Sequence, residues 1–168
     1  MSRGERTGKR GKPNKPPPTR KPRTKAAAKR AKPAKPEKEI WADVVAAVVR
    51  DGERVLVTKR PEGAHLSGHD EFPGGRREPG ETLEAACVRE VKEEVGLDVR
   101  VVGLLGIAWH QDAERKLALS FFDCACTGST ELSAEVVKER SARWVDRREL
   151  PKLDFPPANR DVVKRLAG

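Results

Sequence analysis

Apolar positions in this chain fall into short runs divided by glycine, proline and charge, and the first such run begins at Ile40. The stretch "IWADVVAAVV" is β-branched and apolar, and Asp51-Gly52 behind it is a hairpin signal. A strand, a tight turn and a returning strand over "RVLVTKR" are therefore expected. Residues 61–81 mix glycine, proline and charge and read as a loop, with a short strand at Glu71-Phe72. From Thr82 to Val95 the period changes. Leu83, Ala86, Cys87 and Val91 recur at helical spacing and form one apolar stripe, and Gly96 is placed to cap the helix. Strands are expected at "DVRVVGLLGIAWH", "KLALSFFDCAC" and around "ARWVD". A last helix is expected from about Pro157 to Leu166, its proline tolerated in the first turn. Strands and helices mix without a βαβ rhythm, so the expected class is α+β with a mixed sheet rather than a doubly wound one.

Composition changes this picture at the N-terminus. Residues 1–39 carry 15 Lys+Arg against three acids, Glu5, Glu37 and Glu39, a net of +12. The whole chain stands at +9, which leaves residues 40–168 at −3. Seven of the 13 prolines also lie in residues 1–39. Proline removes hydrogen-bond donors and like charges repel, so this segment is expected to be a disordered basic tail ahead of a single domain over 40–168. A flexible polycation of this kind makes weak, sequence-independent contact with nucleic acid.

Three cysteines, Cys87, Cys124 and Cys126, make no disulfide framework and are expected as buried reduced thiols of a cytoplasmic protein. No apolar stretch approaches the ~20 residues of a membrane span, and the first residues lack the apolar core of a secretory signal. A monomer without membrane contact is the expectation. His65, His69 and His110 receive no role.

The chemistry is concentrated in "GGRREPGETLEAACVREVKEEVGL", Gly74 to Leu97. On a helix, Glu90, Glu93 and Glu94 stand at i, i+3 and i+4 and share one side. Three adjacent carboxylates repel unless a cation neutralises them, and a hard divalent ion such as Mg²⁺ or Mn²⁺ fits oxygen donors. Arg89 beside them could orient a carboxylate through a bidentate pair, and Glu81 could return towards the same place. Taken alone, "REVKEE" is a common solvated helix face.

The full spacing is not common. Gly75, Glu81, Arg89-Glu90-Val91, Glu93-Glu94 and Gly96-Leu97 match the Nudix box at every defined position, so the chain resembles the Nudix hydrolases. That resemblance implies a mixed β-sheet sandwiched between helices, with the box as loop–helix–loop. It also implies metal held by Glu90, Glu93, Glu94 and the Gly74 carbonyl, with attack by water at the β-phosphorus to give a nucleoside monophosphate and pyrophosphate. Either Glu90 or Glu139 would take the proton, and Glu139, five residues before Trp144, would be the further metal ligand, with Glu135 as runner-up. "TKRPEGAHLSGHDEFPGG" and "DFPPANRDVVKRL" are similar to the MutT branch, which hydrolyses oxidised guanine nucleotides such as 8-oxo-dGTP. Carried over, Arg60 contacts substrate, Phe72 lines the base pocket and Asn159 reads the purine edge, while Arg115 could meet phosphate. An amide suits this work because it donates and accepts at once. Two departures stand out. Asp70 occupies a place that is usually large and apolar, which leaves the local pocket lining open, and Arg76 replaces a common lysine. The rival readings are a Nudix enzyme for CTP, a modified pyrimidine nucleotide or a nucleoside diphosphate-linked substrate, and a nucleic-acid-binding protein acting through its basic tail.

Overall fold

The structure, a computed structural model, describes residues 41–113 and 115–168; the basic tail expected over 1–39 lies outside the described residues. The elements run β1 (Ala42–Asp51), β2 (Arg54–Lys59), β3 (Asp70–Glu71), β4 (Gly74–Arg76), α1 (Leu83–Val95), β5 (Val99–Gln111), β6 (Lys116–Cys126), α2 (Ala134–Arg140), β7 (Arg143–Asp146) and α3 (Arg160–Ala167). Two 3-10 helices, Arg147–Lys152 and Pro157–Asn159, precede α3.

The apolar run of β1 places it at the centre of the sheet. It pairs in parallel with β6 from Ala42↔Leu117 to Arg50↔Ala125. Its other edge is shared. At the hairpin end Arg50 and Asp51 meet Val55 and Arg54 of β2, and near the start Val44 to Ala46 meet Arg76 to Gly74 of β4. Between these two pairings β2 departs to join β7 and β3. β5 closes the far side, antiparallel to β6. Val102, Leu104, Ile107 and Trp109 of β5 are exposed, and Trp41 packs edge-on against Trp109 at 5.1 Å.

Alternation along β1 splits its side chains between two cores. Val45, Ala47 and Val49 pack with Ala86, Cys87, Val91 and Val95 of α1. Ala46 and Val48 pack with Phe72, Phe121 and Val162, Val163 and Leu166 of α3. The sheet thus lies between α1 and α3, the mixed sandwich expected. In the α1 layer the Sγ atoms of Cys87 and Cys124 lie 3.6 Å apart, both fully buried, and Cys126 is half-buried. Among the described residues no helix is long and apolar enough to cross a membrane.

The structure corrects the sequence reading in several places. The short strand is Asp70–Glu71, not Glu71-Phe72, because Phe72 turns into the core against Phe121 and Phe155, at ring distances of 6.3 and 4.8 Å. Asp70 is itself buried. Its carboxylate takes Arg143 Nη2 at 2.6 Å and the Asp154 N–H at 3.1 Å, with Lys59 at 3.4 Å. Burial alone would raise its pKa, but Arg143, the Asp154 N–H and Lys59 together bring it below the ordinary aspartate value. Asp70 therefore ties β3 to β7 and the C-terminal segment. Helix α2 and strand β4 were not anticipated. The last helix begins as the 3-10 turn at Pro157 and becomes α-helical only from Arg160.

Candidate active site

The site begins with two glycines. The Ala47 N–H donates to the Pro73 carbonyl at 2.7 Å, which brings the loop hard against β1. A Cβ on Gly74 would run into the Val45 carbonyl, and a Cβ on Gly75 would run into the Glu90 carboxylate. Only glycine lets β4 lie against β1 and under α1 at once.

Helix α1 is fixed at both ends. Thr82 Oγ1 accepts from the Ala85 N–H at 3.1 Å, and Gly96, at φ 75, donates to the Lys92 carbonyl at 3.1 Å. This sets the rotation of α1 so that Ala86, Cys87, Val91 and Val95 are buried.

Arg89 organises three of the acids. Its Nε and Nη2 donate to the two oxygens of Glu81, at 2.9 and 3.1 Å, and Nη2 also donates to the Arg76 carbonyl at 3.1 Å. Its Nη1 donates to Glu90 at 2.8 Å and Glu93 at 3.2 Å. The hydrogen bonds from Arg89 hold the Glu81 carboxyl below its usual range. Glu94 is held from the other side. Its Oε2 accepts the Gly74 N–H at 2.9 Å and its Oε1 accepts Arg140 Nη2 at 2.5 Å. Burial raises the pKa of Glu94, neighbouring Glu90 adds to this, and the Gly74 N–H and Arg140 oppose it. The Glu90 and Glu94 side chains are each 14% exposed and that of Glu93 is 61% exposed, so the set runs from pocket wall to solvent.

Among the described residues no three His, Cys, Asp or Glu side chains converge on one point. Arg89 and Arg140 supply the positive charge that the carboxylates need. The donor set nevertheless fits a hard divalent cation: anionic oxygens on one side of α1, with the missing side chain of Gly75 letting the Glu90 carboxylate come up against the loop.

On the α3 face of the sheet a cavity of about 420 Å³ joins Glu94 to Arg60, Phe72, Arg140 and Asn159. Its size suits a nucleotide-sized ligand. Arg60 Nη1 donates to Glu71 at 2.9 Å and its Nε to the His65 carbonyl at 2.7 Å. The Glu71 carboxyl is pushed up to about 6 by burial, against the pull of Arg60 and with Glu94 adding to it. Asn159 is 6% exposed at the start of α3, and its side chain does not cap that helix. Its amide is thus not spent on the duty that polar residues usually have at a helix start. Arg115 also lines the cavity. Its Nη2 binds Asp112 at 2.7 Å, and its buried Nε has no hydrogen-bond partner among the described residues.

The structure therefore gathers Arg60, Phe72, Gly74, Glu94, Arg115 and Asn159 at one cavity, with Glu90 behind Gly75. Glu139 does not join them. It is exposed on α2, as is Glu135, and the next residue along the helix, Arg140, reaches the cavity instead. Sequence reasoning missed Glu71 and Arg140. Glu71 was legible as an acid beside Phe72 at a strand end facing Arg60. Arg140 had no signal, since α2 buries no residue and so leaves no apolar period to read.

Comparison with known proteins agrees with this geometry. The family model described as "NUDIX domain" matches residues 41–166. An 8-oxo-dGTP diphosphatase of Escherichia coli K12 is 31% identical over 122 residues, covering 73% of this chain and 92% of that protein. Another of the same name from Proteus vulgaris is 41% identical over 80 residues, covering 47% of this chain and 71% of that protein. Among solved structures, a MutT protein from Methanosarcina mazei Go1 superposes with a TM-score of 0.64 at 24% identity, covering 77% of this chain and 95% of its own, which speaks for the fold.

Proposed function

The chain belongs to the NUDIX family and is a pyrophosphohydrolase, and we propose that its substrate is an oxidised purine nucleoside triphosphate such as 8-oxo-dGTP, cleaved to the monophosphate and pyrophosphate with Mg²⁺. Nudix hydrolases generally use divalent metal ions. Here Glu90, Glu93, Glu94 and the Gly74 carbonyl would hold the ion, with Mn²⁺ as a possible substitute. When bound, that ion supplies neutralisation of phosphate charge and acidification of the attacking water.

The chain's own residues do the rest. Arg89 fixes Glu90 at one oxygen, so the other is available to accept the proton of the water. Glu90 is preferred to Glu139 as the base because its largely buried carboxylate lies directly against Gly75 of the cavity wall, whereas Glu139 is exposed on α2. Arg60 is held in place by Glu71 and the His65 carbonyl and meets the substrate from the strand end. Phe72 is core and pocket wall together, since it packs on Phe121 and Phe155 and still lines the cavity.

The observation that carries the substrate class is Asn159, a buried amide that does not cap α3 and lies in the same cavity as Glu94. An amide presents one donor and one acceptor to the O6 and N7 edge of a guanine. Oxidation at C8 places a proton on N7 and reverses one polarity. A mismatched buried partner costs about 1–3 kcal/mol, enough for discrimination when several contacts act together. The test is hydrolysis of 8-oxo-dGTP, dGTP and CTP at equal enzyme concentration, with Mg²⁺ and again after chelation. The reading requires 8-oxo-dGTP to be the best of the three and chelation to abolish turnover. Preference for CTP would transfer the site to pyrimidine nucleotides.

A further inference from the structure

We infer that Arg140 is a substrate-binding residue: its guanidinium, held on Glu94 in this structure, passes to the phosphate chain of the bound nucleotide. This rests on the nucleoside triphosphate reading above. Arg140 is the last residue of α2 and lines the cavity with Glu94, Arg60 and Asn159, while Lys138 and Glu139 on the same helix are exposed. Ser141, in the left-handed region at φ 49, ends the helix directly after it. That turn leads the chain into β7.

The donors and acceptors explain why this contact should move. Glu94 is claimed twice, by the Gly74 N–H on Oε2 and by Arg140 on Oε1. A cation taken up by the α1 carboxylates needs oxygens of Glu94, and a guanidinium on the same carboxylate competes for them. Arg140 carries five N–H donors, and its recorded bond among the described residues uses one of them. Once released it would be a planar cation at the wall of the cavity, and its fork matches two phosphate oxygens as it matches a carboxylate. The competing role is a purely structural clamp between α2 and α1.

The two roles separate in the full-length, Mg²⁺-loaded enzyme with 8-oxo-dGTP as substrate. Loss of one charge-assisted phosphate contact in Arg140→Gln should raise KM about 30-fold and change kcat less than about threefold. Binding of the non-hydrolysable α,β-methylene-dGTP, and inhibition by inorganic pyrophosphate, should weaken by a similar factor. A clamp would lower the melting temperature and leave KM and pyrophosphate inhibition unchanged, and that result overturns the inference. If Arg140→Gln does not fold, Arg140→Lys is read in the same assays. It keeps the charge and loses the fork, so KM should rise about fivefold; an unchanged KM again overturns the inference. If the wild-type enzyme hydrolyses no nucleoside triphosphate, the substrate reading itself has failed. A normal wild type with an indifferent Arg140 variant fails only the present inference.

Discussion

A methyl group added to Gly74 and one added to Gly75 should do damage of different kinds. At Gly74 the new atom meets the backbone carbonyl of Val45, which cannot move without breaking the β1–β4 pairing. Gly74→Ala should therefore cost more than about 2 kcal/mol of stability, read by chemical denaturation. At Gly75 it meets the flexible end of Glu90. Gly75→Ala should melt within a few degrees of wild type and yet lose about 100-fold or more in kcat, because the displaced carboxylate is the proposed base. A Gly75→Ala enzyme that turns over normally would remove Glu90 from that role. Asp70 makes a prediction in pH. Its folded pKa is depressed, so its ionised form adds stability that is complete above the unfolded value of about 4 and is lost as pH falls through the folded value. Urea midpoints should therefore drop more steeply below about pH 4 in the wild type than in Asp70→Asn. Parallel curves would mean that the Arg143 and Lys59 contacts do not favour the charged form.

At the scale of elements, α1 carries the proposed metal ligands and its caps can be tested. Thr82→Ala should cost about 1 kcal/mol by removing the acceptor for the Ala85 N–H. Gly96→Ala should cost about as much for a purely conformational reason, since φ is 75 and no atom lies within 4 Å of the added Cβ. Both costs appear as shifts of the denaturation midpoint. The Gly96 cap was legible in the sequence because the signal of a helix end is local, whereas Thr82 read as the first residue of the helix and is its N-cap. β1, β2, β5, β6 and β7 were legible because apolar runs and turns bound them. What stayed hidden follows from the same logic. The α2 helix buries no residue, so Arg140 could not be placed. β4 is built on two glycines that read as loop, and only the approach to Val45 and Glu90 shows why they form a strand. The one-residue error at Glu71-Phe72 arose because Asp70 is polar but buried among charged partners.

For the molecule as a whole, the excess of positive charge and the proposed catalytic residues belong to different parts of the sequence. Among the described residues the cavity lining begins at Val44, whereas the +12 belongs to residues 1–39. Deleting residues 1–39 should leave kcat within about twofold and remove a salt-dependent affinity for DNA or RNA. Loss of most activity in the folded truncate would place the tail in the active site. The two core layers have a further consequence through Cys87 on α1 and Cys124 on β6, whose fully buried sulfurs face each other across the α1 layer. The neighbouring Cys87 and burial together push the Cys124 thiol well above its usual range, so a native thiolate is scarce. An aqueous alkylating reagent should modify half-buried Cys126 first and reach the other two only when α1 lifts from the sheet. The slow labelling rate, divided by the rate for the unfolded chain, is then the equilibrium constant for that lifting. The protein thus carries a chemical clock for how often α1 comes undone.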